Sequence, residues 1–141
     1  MIPMGLRGAY LSMHRQTNAH LFRHGVTADQ FVCLVILSEE DGITQKELAR
    51  RVTSDANTIR EMLVLLEKQD LVARRPHPTD GRARIVTITT KGRQIFDTLS
   101  AELKPVQARL TAIFQAEESR TLLDNLKRIE KAMTNNNYSV E

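Results

Sequence analysis

One cysteine, no tryptophan and only six aromatic residues stand among the 141 residues of this chain. A lone Cys33 excludes an intrachain disulfide. So few aromatic rings leave nothing from which to build a base-stacking platform, which argues against recognition of RNA or single strands. No apolar run approaches the ~20 residues of a membrane helix, so no integral membrane protein is expected. The N-terminal MIPMGLRGAYLSMHR lacks a continuous apolar stretch ending in a small-residue cleavage site and does not read as a signal peptide. Together with the single thiol, this predicts a cytoplasmic protein. A Gly-rich phosphate loop, a metal-ligand cluster and a nucleophile–base pattern are also missing. Neither enzyme activity, a cofactor nor a metal is therefore expected.

What is present is an ordinary globular balance, 41% hydrophobic and 26% charged, in a length suited to one domain. Net charge is only +3, but it is unevenly spread. Residues 74–93 hold Arg74, Arg75, Arg82, Arg84, Lys91 and Arg93 against one acid, Asp80, leaving the rest of the chain slightly negative. A short basic segment on a near-neutral body points to a localised anionic partner, most naturally nucleic acid.

The periodicity predicts a mainly α fold with a small β-hairpin. A weakly amphipathic helix runs from about Gly8 to His24 and stops at Gly25. Thr27 and Gln30 have capping-box spacing ahead of an almost wholly apolar helix through Leu37, expected to be central and buried and to end at Asp41-Gly42. Thr44 and Glu47 repeat that spacing at the start of a short helix with Leu48, Ala49 and Val52 inward. The turn Thr53-Ser54 leads to a third helix, about Asp55–Gln69, with the stripe Ile59, Met62, Leu63, Leu66 inward and Asn57, Glu61, Val64 and Lys68 outward. Leu71–Arg75 and Arg84–Thr89 read as two strands joined by the turn residues His77–Gly81. Helical spacing then returns from Ile95 to Phe114, with Pro105 expected to kink or split it. A last helix, opened by Glu117-Glu118, carries Leu122, Leu123, Leu126, Ile129 and Met133. The closing NNNYSVE is polar and expected to fray.

Short helix, tight turn, longer helix with a polar face and basic hairpin make a winged helix-turn-helix. The first helix of the motif braces the second, whose N-terminal side chains reach base edges in a major groove. The hairpin's arginines reach phosphates or the adjacent minor groove.

TQKELARRV followed by DANTIREMLVLLEKQDLVARRPHPTDGRARIVTITTKGR resembles the MarR family of bacterial transcriptional regulators. The matching pieces are Leu48-Ala49, Leu66-Glu67 leading to Leu71-Val72, Arg74-Arg75-Pro76, Asp80 with Arg82, and Thr89-Thr90-Lys91-Gly92. The likeness extends over the flanking helices. It implies a dimeric repressor of a pseudo-palindromic double-stranded DNA operator, released by a small aromatic or anionic effector. In this single MarR-like domain, 27–92 would form the DNA-binding lobe, and 1–24 with 93–137 the helical dimerisation region. Asp55, Ala56, Asn57, Thr58 and Arg60 would meet bases and nearby phosphates. Arg82 would enter the minor groove, and the Asp80 carboxylate would orient Arg82 or an adjacent wing arginine by a charge-assisted hydrogen bond. Thr44, Gln45, Ser54, Arg74, Arg75, Arg84 and Lys91 complete the expected DNA-binding set. The chain departs from the family pattern at Thr53 and Asp70, where glycine is usual, at Gly81 in place of a basic residue, and at the apolar Val64 and Leu65.

Several residues admit two readings. Asn57 suits adenine by bidentate amide bonding, or serves only backbone or phosphate. Arg74 and Arg75 contact DNA or brace helices. Cys33 is a redox sensor or, in its apolar helix, a plain buried thiol. His20 and His24 have the i, i+4 spacing of a metal pair but no third ligand nearby. The alternatives to an effector-released repressor are an architectural DNA-binding protein without an inducer and a redox-sensing regulator using Cys33.

Overall fold

The computed structural model describes residues 1–134; the NNNYSVE tail expected to fray lies outside them. Two compact units are present, Met1–Leu103 and the segment from Lys104 onward.

In the first unit, α1 (Ile2–Leu21) begins earlier than the apolar spacing predicts, with Pro3 in its first turn, where a missing N–H costs nothing. A single 3-10 turn, Phe22–His24, follows and closes on Gly25 at φ 69°. α2 (Ala28–Glu39) carries the expected capping box in full. Thr27 Oγ1 accepts from Gln30 N, and Gln30 Oε1 accepts from Thr27 N, both at 3.1 Å. Phe31, Cys33, Leu34 and Leu37 are buried, and Phe31 stacks on Phe96 with ring centroids 5.8 Å apart. The helix is not buried all round, however: Val32 is exposed.

A two-residue strand, β1 (Ile43–Thr44), precedes α3 (Gln45–Val52) and α4 (Ala56–Lys68). Then come β2 (Val72–Pro76) and β3 (Arg84–Ile88), antiparallel with Arg74 opposite Val86. β1 was not expected. It pairs with the other edge of β3, Ile43 opposite Val86, so the hairpin becomes a three-stranded sheet in the order β1-β3-β2. Two residues are too few for alternation to register as a strand.

Among the described residues, the two non-glycine residues at positive φ are Thr53 (58°) and Asp70 (59°), the positions where the sequence departs from the family's glycines. Thr53 ends α3 by donating its N–H to the Ala49 and Arg50 carbonyls. Asp70 turns the chain after α4 into β2, with Leu71 N bonded to Leu66 O at 2.9 Å. Gly92 answers to close approach: a Cβ there would overlap the Leu71 carbonyl oxygen.

α5 (Thr90–Ala112) contains Pro105 and runs on through it as one helix, so of the expected kink or split the split does not occur. α6 (Ala116–Thr134) opens as its acids suggest, with Glu118 Oε1 accepting from Gln115 N at 3.0 Å. No single helix among the described residues is long and apolar enough to cross a membrane.

Candidate nucleic-acid interface

α3, α4 and the β2–β3 turn enclose an open groove of about 870 Å³. Six basic residues line it, Lys46, Arg50, Arg60, Arg74, Arg82 and Arg84, against the single carboxylate of Asp80. Concentrating one sign of charge in a concavity raises the local potential and draws in polyanions.

Of the residues predicted from sequence, the groove brings together Thr44, Gln45, Ser54, Ala56, Arg60, Arg74, Asp80, Arg82 and Arg84. Gln45 Oε1 is buried without a hydrogen-bond partner among the described residues. Asp55, Asn57, Thr58, Arg75 and Lys91 lie outside the lining. Lys46 and Arg50 are in it and were missed. Their i, i+4 spacing puts both on one face of α3, which was the available signal.

The caps consume several groups assigned to DNA. Asp55 is the N-cap of α4. Its Oδ1 accepts from Thr58 N and its Oδ2 from Thr58 Oγ1, both at 2.8 Å, and these bonds lower its pKa. Asn57 Oδ1 receives the Arg60 guanidinium at 3.3 Å, a partner neither reading of Asn57 anticipated. Thr44 Oγ1 caps α3 by accepting from Glu47 N at 3.1 Å, but Glu47 does not return the bond as a capping box would. Its carboxylate instead receives Arg50 Nε and Arg51 Nε, each at 2.9 Å. Those guanidinium bonds, Arg50 first and Arg51 next, hold Glu47 down at about 2. Arg51 also reaches Glu40 at 2.6 Å, tying α3 to the end of α2.

In the wing, Arg74 places Nε and one terminal nitrogen on the two Glu67 oxygens, each at 3.2 Å. With a side chain only 15% exposed, it clamps β2 to α4, the bracing role rather than a free contact. Lys91 Nζ donates to Gln69 O at 3.0 Å, beyond the end of α4. Asp80 does position Arg82, but not as expected: Oδ1 accepts from the Arg82 backbone N–H at 3.0 Å, so the carboxylate shapes the turn, not the guanidinium. Val64, expected outward, is half-buried, and the exposed apolar residue on α4 is Leu65.

The sensing alternatives meet specific obstacles. Burial, reinforced by the Asp29 charge, pushes the Cys33 thiol up to about 12, so it stays protonated at neutral pH and lacks sensor chemistry. His24 Nε2 is engaged by Glu102 at 2.8 Å, and Arg23 shares that carboxylate at 3.0 Å.

The MarR family profile matches residues 26–83, the span from the start of α2 into the wing. The HTH-type transcriptional repressor Rv2887 of Mycobacterium tuberculosis (strain ATCC 25618 / H37Rv) is 30% identical over 114 residues, 81% of this chain and 82% of the relative. The chain belongs to the MarR family of winged helix-turn-helix transcriptional regulators. The HTH-type transcriptional regulator YdgJ of Bacillus subtilis (strain 168) is likewise 30% identical, over 79% of this chain and 68% of the relative. Among solved structures, a mutant of MarR from E. coli complexed with operator DNA superposes with a TM-score of 0.81 at 29% identity, covering 91% of this chain and 94% of that one. The S. aureus MepR–DNA complex gives 0.85 at 20% identity, covering 95% and 98%, a likeness of fold.

Proposed function

We propose that the protein is a homodimeric repressor that grips a pseudo-palindromic operator in double-stranded DNA. The observation that carries this is the groove, where six basic side chains and one carboxylate converge from α3, the N-terminal half of α4 and the wing. Ala56 and Arg60 face base edges and Arg82 the neighbouring minor groove, while Arg84, Lys46 and Arg50 take phosphates.

Dimerisation is supported by apolar residues left in water. α1 exposes Ile2, Met4, Tyr10 and Met13; separately, Leu110, Ile113, Leu122, Leu123, Leu126 and Met133 are exposed in the second unit. Residues 1–24 and 93–134 form the subunit interface, residues 135–137 of the expected region lying outside those described, and 27–92 form the DNA-binding lobe. A small aromatic or anionic effector releases DNA by binding better to a different lobe separation. The protein acts in the cytoplasm and carries out no catalysis.

Genomic DNA selection with the purified chain, with and without candidate small molecules, tests this. A recurring inverted-repeat site lost on adding an effector is the expected result. Indifference to sequence indicates an architectural protein. Sedimentation at micromolar concentration showing only a 16.0 kDa species refutes the dimer.

A further inference from the structure

The wing turn is organised around an imidazole. His77 Nδ1 accepts from Thr79 N at 3.2 Å and from Asp80 N at 3.1 Å, and the Thr79 hydroxyl lies 3.3 Å from the same atom. Outside that ring, His77 N bonds to Ala83 O at 3.0 Å and Ala83 N to Asp80 O at 3.1 Å. Asp80 Oδ1 then takes the Arg82 N–H. The chain of bonds therefore runs from the His77 ring to Asp80 and on to Arg82, the basic residue at the tip.

We propose that His77 is a positioning residue for DNA binding: its Nδ1, as an acceptor, holds the wing turn that presents Arg82 to the groove. This rests on the reading of the wing as a DNA contact. Two backbone N–H groups converge on Nδ1, and a backbone N–H has no other role than donor. Nδ1 must therefore carry its lone pair, and the proton of the neutral ring sits on Nε2. A doubly protonated imidazolium presents an N–H to two N–H donors, and the turn loses its acceptor. The charged groups on the strand ends and in the turn are Arg75 on β2, Asp80 and Arg82 in the turn, and Arg84 on β3. Three of the four are cationic, so protonation also adds like charge to the tip.

The consequence opposes charge counting. A histidine that gains a proton beside DNA phosphates should tighten binding. Here the ring acts through its Nδ1 lone pair, which shapes the wing, and not through a charge.

The test compares the wild-type chain with His77→Ala and His77→Asn. The asparagine Oδ1 accepts from N–H groups two and three residues on and does not titrate. The probe is the duplex that the wild type itself enriches from a random-sequence library. His77→Ala is expected to bind it about five- to tenfold more weakly, as loss of a local turn bond implies. His77→Asn is expected to stay within about twofold of wild type, an equivalent acceptor being in place. Equal binding by all three overturns the positioning role. Nitrogen NMR of the free protein decides independently of DNA: an Nε2–H tautomer with Thr79 and Asp80 amides slowed in exchange is expected. An Nδ1–H tautomer overturns the proposal even if a site is selected. The expected tautomer in a chain that selects no duplex leaves the turn geometry standing and sinks the DNA reading, and with it the role in binding.

Discussion

Lys91 donates its ammonium to the backbone carbonyl of Gln69, 3.0 Å away and 22 residues back along the chain. That carbonyl lies just past the C-terminus of α4, where a cation compensates the helix dipole. Two residues before Lys91, Thr89 Oγ1 donates to Asp70 O at 2.6 Å and accepts from Gly92 N at 2.9 Å. The Thr-Thr-Lys-Gly segment is thus a clasp on the far end of the recognition helix. Lys91→Met should cost about 0.5–1 kcal/mol of stability in denaturant unfolding while leaving the salt slope of DNA binding unchanged. A slope reduced by about one would return Lys91 to the phosphate contacts.

Arg82→Ala should weaken specific binding by about 1–3 kcal/mol, more than Arg93→Ala. Arg93 is paired with Asp41 at 3.1 Å, so its loss should appear mainly in stability. Asp80→Ala should partly mimic Arg82→Ala, through the turn, although it removes a negative charge. Tighter binding by Asp80→Ala at fixed salt, read by titration of the selected duplex, would show that charge alone governs the wing.

Thr53 holds a left-handed conformation at φ 58°, where a β-branched side chain crowds the backbone. Thr53→Gly should therefore stabilise by about 1 kcal/mol, after allowing for the greater freedom of glycine in the unfolded chain. Gly92→Ala should do the reverse, costing more than about 2 kcal/mol, because the added methyl meets a carbonyl that cannot turn aside. Thermal unfolding of the two variants checks both signs.

Glu47, held near 2 by Arg50 and Arg51, gives a pH signature. Its folded-state pKa lies below the ordinary 4.5, so the stability from these pairs is fully present above 4.5 and disappears as pH falls through about 2. Glu47→Gln should be less stable than wild type at neutral pH. The two stability curves should converge below about pH 2. Urea midpoints measured across that range decide it, and parallel curves would mean the pairs contribute nothing.

The local devices were legible in the sequence because they are made between neighbours. The Thr27–Gln30 box, the Thr44 cap and the Gly25 stop each involve groups within four residues, and the stripe of Ile59, Leu63 and Leu66 follows from helical geometry. The same holds for the basic window and the family motif, which placed Arg60, Arg74, Arg82 and Arg84 of the groove in advance but not Arg50. Tertiary structure decided which of those charges remain available. Arg74 meets Glu67, Lys91 meets Gln69, and Asp41 gathers Gly42 N, Ile88 N and Arg93 from three parts of the chain. It also decided β1, whose two residues become a strand only because β3 offers a free edge beside them. Periodicity reports the side of an element on which a residue stands; the partner it finds there depends on which element packs against that side, and only the folded chain supplies it.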